Sequence, residues 1–194
     1  MQFVIHRVNT IHELRAVPTE YGCEIDIRAN GSDLILNHEP FVGGDKLHDY
    51  MNEYQHGLLV LNIKEAGIED AALRVVRENS DCDHFLLDVE FPYIYRASRQ
   101  GERAIAMRYS EDEAIETVLN YKGTVDWVWI DTNTRLPLDA NSVRQLQGFN
   151  TCLVCPSRWN RSEQISTYKE MMSRLQFSPE AVMTSLELVE EWAS

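Results

Sequence analysis

Leu58-Leu59-Val60-Leu61-Asn62-Ile63-Lys64 is followed by Ile68–Asn79 and then by His84-Phe85-Leu86-Leu87-Asp88-Val89. The outer two segments are short apolar or β-branched runs. The middle one sets Ile68, Ala71, Ala72, Val75 and Val76 at the spacing of one helix face. The succession reads strand, helix, strand, the unit from which parallel sheets are built. The alternation extends both ways. Further strands are expected at Phe3–His6, Glu24–Arg28, Arg103–Tyr109, Asp126–Asp131, Thr151–Cys155 and Ala181–Ser185. Helices are expected at Ile11–Glu20, Leu47–Glu53, Glu111–Lys122, Asn141–Gln147, Ser162–Leu175 and Leu186–Trp192. Ser110 with Glu113 three residues on is a capping-box spacing for the helix at Glu111–Lys122, and Gly123 stands at its C-terminal cap.

Eight strands, mostly separated by helices, suit either a closed parallel barrel or a doubly wound sheet. Polar residues gather near the C-terminal ends of several strands: His6, Glu24, Asp26, Lys64, Asp88 and Asp131. A barrel collects strand ends around one mouth, so the expectation is an α/β chain forming a compact (β/α)8 barrel. At 194 residues it is slightly short for that barrel, so some helices must be reduced or missing. The length favours one domain over residues 1–194.

Asp plus Glu number 31 against 18 Lys plus Arg, a net charge of −13, which argues against a general nucleic-acid binder. No apolar run approaches a membrane span, and Met1-Gln2-Phe3-Val4-Ile5-His6 has no signal-peptide pattern, so a cytoplasmic setting is expected. Cys152-Leu153-Val154-Cys155 has the spacing of a redox pair. On a strand, however, residues three apart point to opposite faces, so buried thiols are the expectation there.

Glu24-Ile25-Asp26 carries the strongest chemical signal. Two carboxylates two residues apart lie on one face of a strand, with Cys23, Ile25 and Ile27 on the other. Buried together they repel and lose hydration, and a divalent cation with oxygen ligands is the economical compensation. His6 ends the first strand, His38 follows Leu34-Ile35-Leu36-Asn37, and Lys64 ends the third. An acid, a base, a metal and a cation for phosphate suit in-line phosphoryl transfer.

His6-Arg7, Asn9-Thr10, Glu24-Ile25-Asp26, Asn37-His38-Glu39-Pro40 and Asn62-Ile63-Lys64, in that order, resemble the glycerophosphodiester phosphodiesterases. These belong to the phospholipase-C-like phosphodiesterase superfamily of TIM barrels. The family opens with His-Arg-Gly and Glu-Asn-Thr, then has Glu-x-Asp, His-Asp after a short hairpin, and Glu-x-Lys. A weaker echo is Ala181-Val182-Met183-Thr184-Ser185 before Leu186–Trp192. The resemblance implies His6 and His38 as the acid/base pair, and Arg7 and Lys64 as phosphate-holding groups. It further implies Glu24, Asp26 and Asn62 as ligands for Mg²⁺ or Ca²⁺, and a small phosphodiester as substrate.

The sequence departs from the pattern at several positions. Val8 replaces the glycine, Glu39 replaces Asp, Ser185 stands where Asp is frequent, and Asn62 stands where the family has a metal-binding Glu. The segment usually inserted between the second and third strands is reduced to about residues 41–57. An asparagine carbonyl can ligate a hard cation but brings no charge. A second reading is therefore a barrel that binds a sugar phosphate or lipid head group without turnover, and a third is a structural barrel with a protein partner. Trp129, Asp131 and Arg158 are further candidates for substrate contact.

Overall fold

The computed structural model describes residues 1–194, which pack as two units, Val4–Ile94 and Tyr95–Ser194 with Met1–Phe3. In the first unit the strands are β1 (Gln2–Ile5, its end), β2 (Gly22–Asn30), β3 (Asp33–Leu36), β4 (Asp45–Lys46), β5 (Leu59–Ile63) and β6 (His84–Leu87). β1, β2, β5 and β6 run parallel, with Ile5 opposite Cys23, Asp26 opposite Asn62, and Asn62 opposite Leu87. β2 has nine residues and β1 only four. β1 covers the start of β2, and the free stretch Ile27–Asn30 pairs antiparallel with β3. That hairpin sets the course of the chain through residue 38. Gly22 is required at the head of β2, because a Cβ there would stand 2.1 Å from the Leu58 carbonyl oxygen.

The helices of this unit are α1 (Ile11–Ala16), α2 (Leu47–Glu53) and α3 (Glu69–Asn79). α1 begins with a true capping box: Thr10 accepts from the Glu13 N–H while Glu13 reaches back to the Thr10 N–H. α4 (Phe91–Arg99), which the sequence reading did not anticipate, carries the chain into the second unit. Tyr93, Ile94 and Ala97 are its buried face.

In the second unit β7 (Ala106–Tyr109), β8 (Trp127–Ile130), β9 (Asn150–Val154) and β10 (Ala181–Thr184) are parallel neighbours in chain order. Its helices are α5 (Ile115–Leu119), α6 (Ala140–Leu146), α7 (Ile165–Leu175) and α8 (Val189–Ala193). All eight expected parallel strands are present, and a helix follows each before the next, none longer than 11 residues. The helices are reduced rather than missing. None is long and apolar enough to cross a membrane.

The Ser110 capping box does not form. α5 starts at Ile115 with Ala114 as its cap residue and no side-chain cap bond. The Ser110 hydroxyl accepts from the Asp112 N–H, the Glu113 carboxylate is taken by the Arg108 guanidinium at 3.0 Å, and Glu111 accepts from Thr134. Charge-assisted bonds to other segments outcompete the cap and hold residues 110–114 out of the helix. Cys152 lies on β9, while the Cys155 thiol, just beyond it, accepts from Ser157 and from the indole of Trp192.

Candidate functional site

β2 presents Glu24 and Asp26 on one face, both fully buried. Cys23, Ile25 and Ile27, buried as well, alternate with them onto the other face of the strand. The side-chain alternation expected along β2 is therefore the one that forms. Each carboxylate is surrounded by donors from the segment that follows β1 and from β5 and the residue just after it. Glu24 accepts from the Asn62 amide and from the Arg7 N–H, both at 2.8 Å, and lies 3.9 Å from the His6 Nε2. Asp26 accepts from the Asn9 amide at 2.8 Å, while Lys64 Nζ stands 2.9 Å from its other oxygen and Arg7 Nε is 3.9 Å away.

These bonds explain the course of the chain after β1. Arg7 has φ +56°, a left-handed conformation that costs a non-glycine residue on the order of 1 kcal/mol or more. It persists because its N–H reaches Glu24 and because Val8 N–H bonds the Glu24 carbonyl at 2.9 Å. Asn9 then closes a reciprocal clamp, accepting the Asp26 N–H and donating to the Asp26 carboxylate, both at 2.8 Å. His6 and Arg7 are fixed beside the carboxylates by the carboxylates themselves. Their side chains stay 25% and 37% exposed, so both remain open to a ligand.

Burial, reinforced by the charge of Asp26, pushes the Glu24 carboxyl up to about 7 against the opposing effects of Asn62, the Arg7 N–H and Lys64. Starting from an ordinary value of 4.5, the folded chain holds this proton more tightly than the unfolded chain. Without a cation, stability should therefore fall as pH rises from about 4.5 to about 7 and level off above that. Melting curves in chelator test this by comparing wild type with Glu24→Gln. The wild type should lose ground against the variant across that window, and parallel curves contradict the assignment.

The donor set fits a hard divalent cation. Asn62 turns its NH₂ toward Glu24, which leaves its buried carbonyl oxygen without a hydrogen-bond partner. The buried Asp26 Oδ1 likewise accepts no well-aligned hydrogen bond, although Lys64 pairs with it by charge. Two carboxylates and one orphaned amide oxygen on adjacent strands are all-oxygen chemistry of the kind Mg²⁺ or Ca²⁺ takes.

His38 follows β3 in the same unit, its ring 37% exposed, with Nδ1 2.7 Å from Glu39 Oε1. Of the remaining candidates, Trp129 is buried on β8. Asp131 accepts from Arg108 at 2.6 Å and from the Trp159 indole at 3.2 Å, and Arg158 lies 5.1 Å over the Trp159 ring. These three belong to the second unit, and the polar groups of Asp131 are engaged by its own neighbours. Sequence reasoning assigned no role to Asn9, Arg28 or Arg108. Arg28 did carry a signal, since it continues the alternation of Glu24 and Asp26 onto the same face of β2.

No protein-family model and no curated protein matches the chain in sequence. Solved structures do match it in fold. A glycerophosphodiester phosphodiesterase of Agrobacterium tumefaciens is similar with a TM-score of 0.68 and 13% identity, over 100% of this chain and 99% of that one. A candidate glycerophosphoryl diester phosphodiesterase of the same organism is similar with a TM-score of 0.66 and 12% identity, over 95% and 93%. The likeness spans both proteins nearly end to end. The fold class is α/β, of the (β/α)8 barrel type that the alternation and the sequence resemblance implied.

Proposed function

We propose that this chain is a phosphoric diester hydrolase acting on glycerophosphodiester-type substrates at the Glu24–Asp26 face of β2. One observation carries the reading: two buried carboxylates on β2, one of them in register with an orphaned amide oxygen on β5, ringed by His6, Arg7 and Lys64. That set of groups has little use in packing alone, because burying two like charges opposes folding.

Lys64 and Arg7 bind the phosphodiester oxygens. Lys64 pairs by charge with Asp26 at 2.9 Å, which holds the ammonium in place while its N–H donors serve the substrate. One of His6 and His38 removes a proton from the attacking hydroxyl, either water or the neighbouring glycerol hydroxyl. The other gives a proton to the leaving alkoxide as the bond from phosphorus to that oxygen breaks. Glu24, Asp26 and Asn62 would hold the divalent cation, which supplies positive charge to the phosphoryl oxygens when bound. Asp26 also orients Lys64, and Glu24 shapes the turn at Arg7, so each carboxylate acts twice.

Two tests address this site. Mg²⁺ or Ca²⁺ should raise the melting temperature of the wild type, and Glu24→Ala with Asp26→Ala should abolish that rise. Asn62→Glu should shift the response to lower cation concentration, because it adds charge to the ligand set. An unchanged rise in the double variant would place the cation elsewhere. Incubation with a panel of glycerophosphodiesters should release a free alcohol and a phosphomonoester, formed directly where water attacks, or through a cyclic diester that water then opens where the glycerol hydroxyl attacks. Binding of the panel without any product favours a second reading, a pocket without turnover, to which the uncharged Asn62 amide points.

A further inference from the structure

His38 sits in an irregular stretch. Beyond β3 the chain from Asn37 to Gly44 belongs to no strand, and Phe41 at its tip is fully exposed with φ +63°. Three bonds shape the stretch: Asn37 N–H to the Asp26 carbonyl at 3.0 Å, the Asn37 amide to the Gly43 carbonyl at 2.8 Å, and Glu39 N–H to the Asn37 side chain at 2.9 Å. None of them touches His38. An imidazole that must exchange a proton at one nitrogen needs both its place and its tautomer set, and a loop of this kind sets neither.

Two charged side chains contact His38 from opposite ends. Arg28, on β2 across from Ile35, directs its guanidinium at the His38 carbonyl oxygen, with Nη2 at 2.9 Å and Nε at 3.3 Å. Glu39 Oε1 lies 2.7 Å from the ring Nδ1. We infer that Arg28 and Glu39 are positioning residues for His38, the guanidinium fixing its main chain against β2 and the carboxylate fixing its ring.

The chemistry of each contact says what it sets. The neighbouring His38 holds the Glu39 carboxyl below its usual range, so Glu39 is ionised near neutral pH and only accepts. Nδ1 is then the donor, and Nε2 is left as the nitrogen that takes or gives the catalytic proton. The forked guanidinium makes two bonds to one carbonyl, so the main chain of His38 follows β2. Arg28 lies two residues beyond Asp26 on the same strand face, so the strand that carries the carboxylates also holds the histidine. This rests on the proposed role of His38 in turnover.

The test uses the full-length protein with a glycerophosphodiester, and it reads rate and ring chemistry separately. Glu39→Ala and Arg28→Ala should each lower kcat by roughly 10- to 100-fold with little change in KM, the size expected when a supporting contact is lost. Glu39→Asp and Arg28→Lys, which keep a carboxylate and a cation, should recover part of that loss. In nitrogen NMR of ¹⁵N-histidine-labelled protein, wild-type His38 should carry its proton on Nδ1 when neutral, and Glu39→Ala should bring in the Nε2–H form. If Arg28→Ala fails to fold, Arg28→Lys and the Glu39 variants still decide. An unchanged tautomer in Glu39→Ala, or turnover within about twofold of wild type in both alanine variants, overturns the inference. Full turnover in His38→Ala overturns instead the acid/base reading on which it rests.

Discussion

His6→Ala and His38→Ala should each reduce turnover of a glycerophosphodiester by roughly 10²- to 10⁴-fold, the usual contribution of a positioned general acid or base. Substrate affinity should change far less, because Arg7, Lys64 and the carboxylate site remain. His6 is tied to this outcome by geometry, since its Nε2 lies 3.9 Å from Glu24 at the end of β1. His38 is tied to it by the hairpin that brings the chain back along β2. Wild-type turnover should follow a bell-shaped pH profile, since one imidazole must be neutral and the other protonated. Each variant should lose the limb that its histidine supplies. Steady-state kinetics at saturating and limiting substrate separate the two effects, and a fall in affinity with kcat intact would contradict an acid/base role.

The second large effect concerns stability. Lys64→Ala should destabilise the metal-free protein by about 3–5 kcal/mol, because it leaves Glu24 and Asp26 buried without their close cation. For a chain of this size that corresponds to a fall of roughly 6–20 °C in Tm. Divalent cation should restore much of it by taking over the compensation. Removing the charge on both sides, with Asp26→Asn and Lys64→Met together, should cost less than either change alone, since neither variant group is then buried unpaired. Differential scanning calorimetry with and without chelator measures the wild type and all four variants. A Lys64→Ala protein as stable as wild type in chelator would mean the carboxylates are compensated some other way.

What could be read from the sequence follows from how local each determinant is. The face shared by Glu24 and Asp26 was legible because strand alternation is a local rule, and the partners both carboxylates draw from residues 7–9 and 62–64 agree with it. The eight strands were legible for the same reason. α4 was not: Phe91, Tyr93, Ile94 and Ala97 have helical spacing, but Pro92 and the arginines at 96 and 99 masked it. Pro92 is tolerated because it falls in the first turn, where its missing N–H has no helical partner to lose. The two capping boxes show the limit from both sides. Thr10 and Glu13 cap α1 through bonds that stay within residues 9–13. Ser110 and Glu113 have the same spacing, yet Arg108 takes the glutamate, and that competition depends on the fold. The direction of the Asn62 amide, the Asn9 clamp and the reach of Arg28 to His38 are likewise set by partners 10 to 38 residues away. Residue types in order suggested the site, but which oxygen is left free depended on the packed strands.

The most direct measurement follows one glycerophosphodiester by phosphorus NMR with the wild-type chain through three additions: Mg²⁺ or Ca²⁺, then excess chelator, then cation again. The predicted result is a phosphomonoester signal that grows with cation, stops with chelator and resumes on readdition, with a slope cut by His6→Ala. A diester signal that persists through all three stages while the protein stays folded and binds the substrate would contradict hydrolysis at the Glu24–Asp26 site.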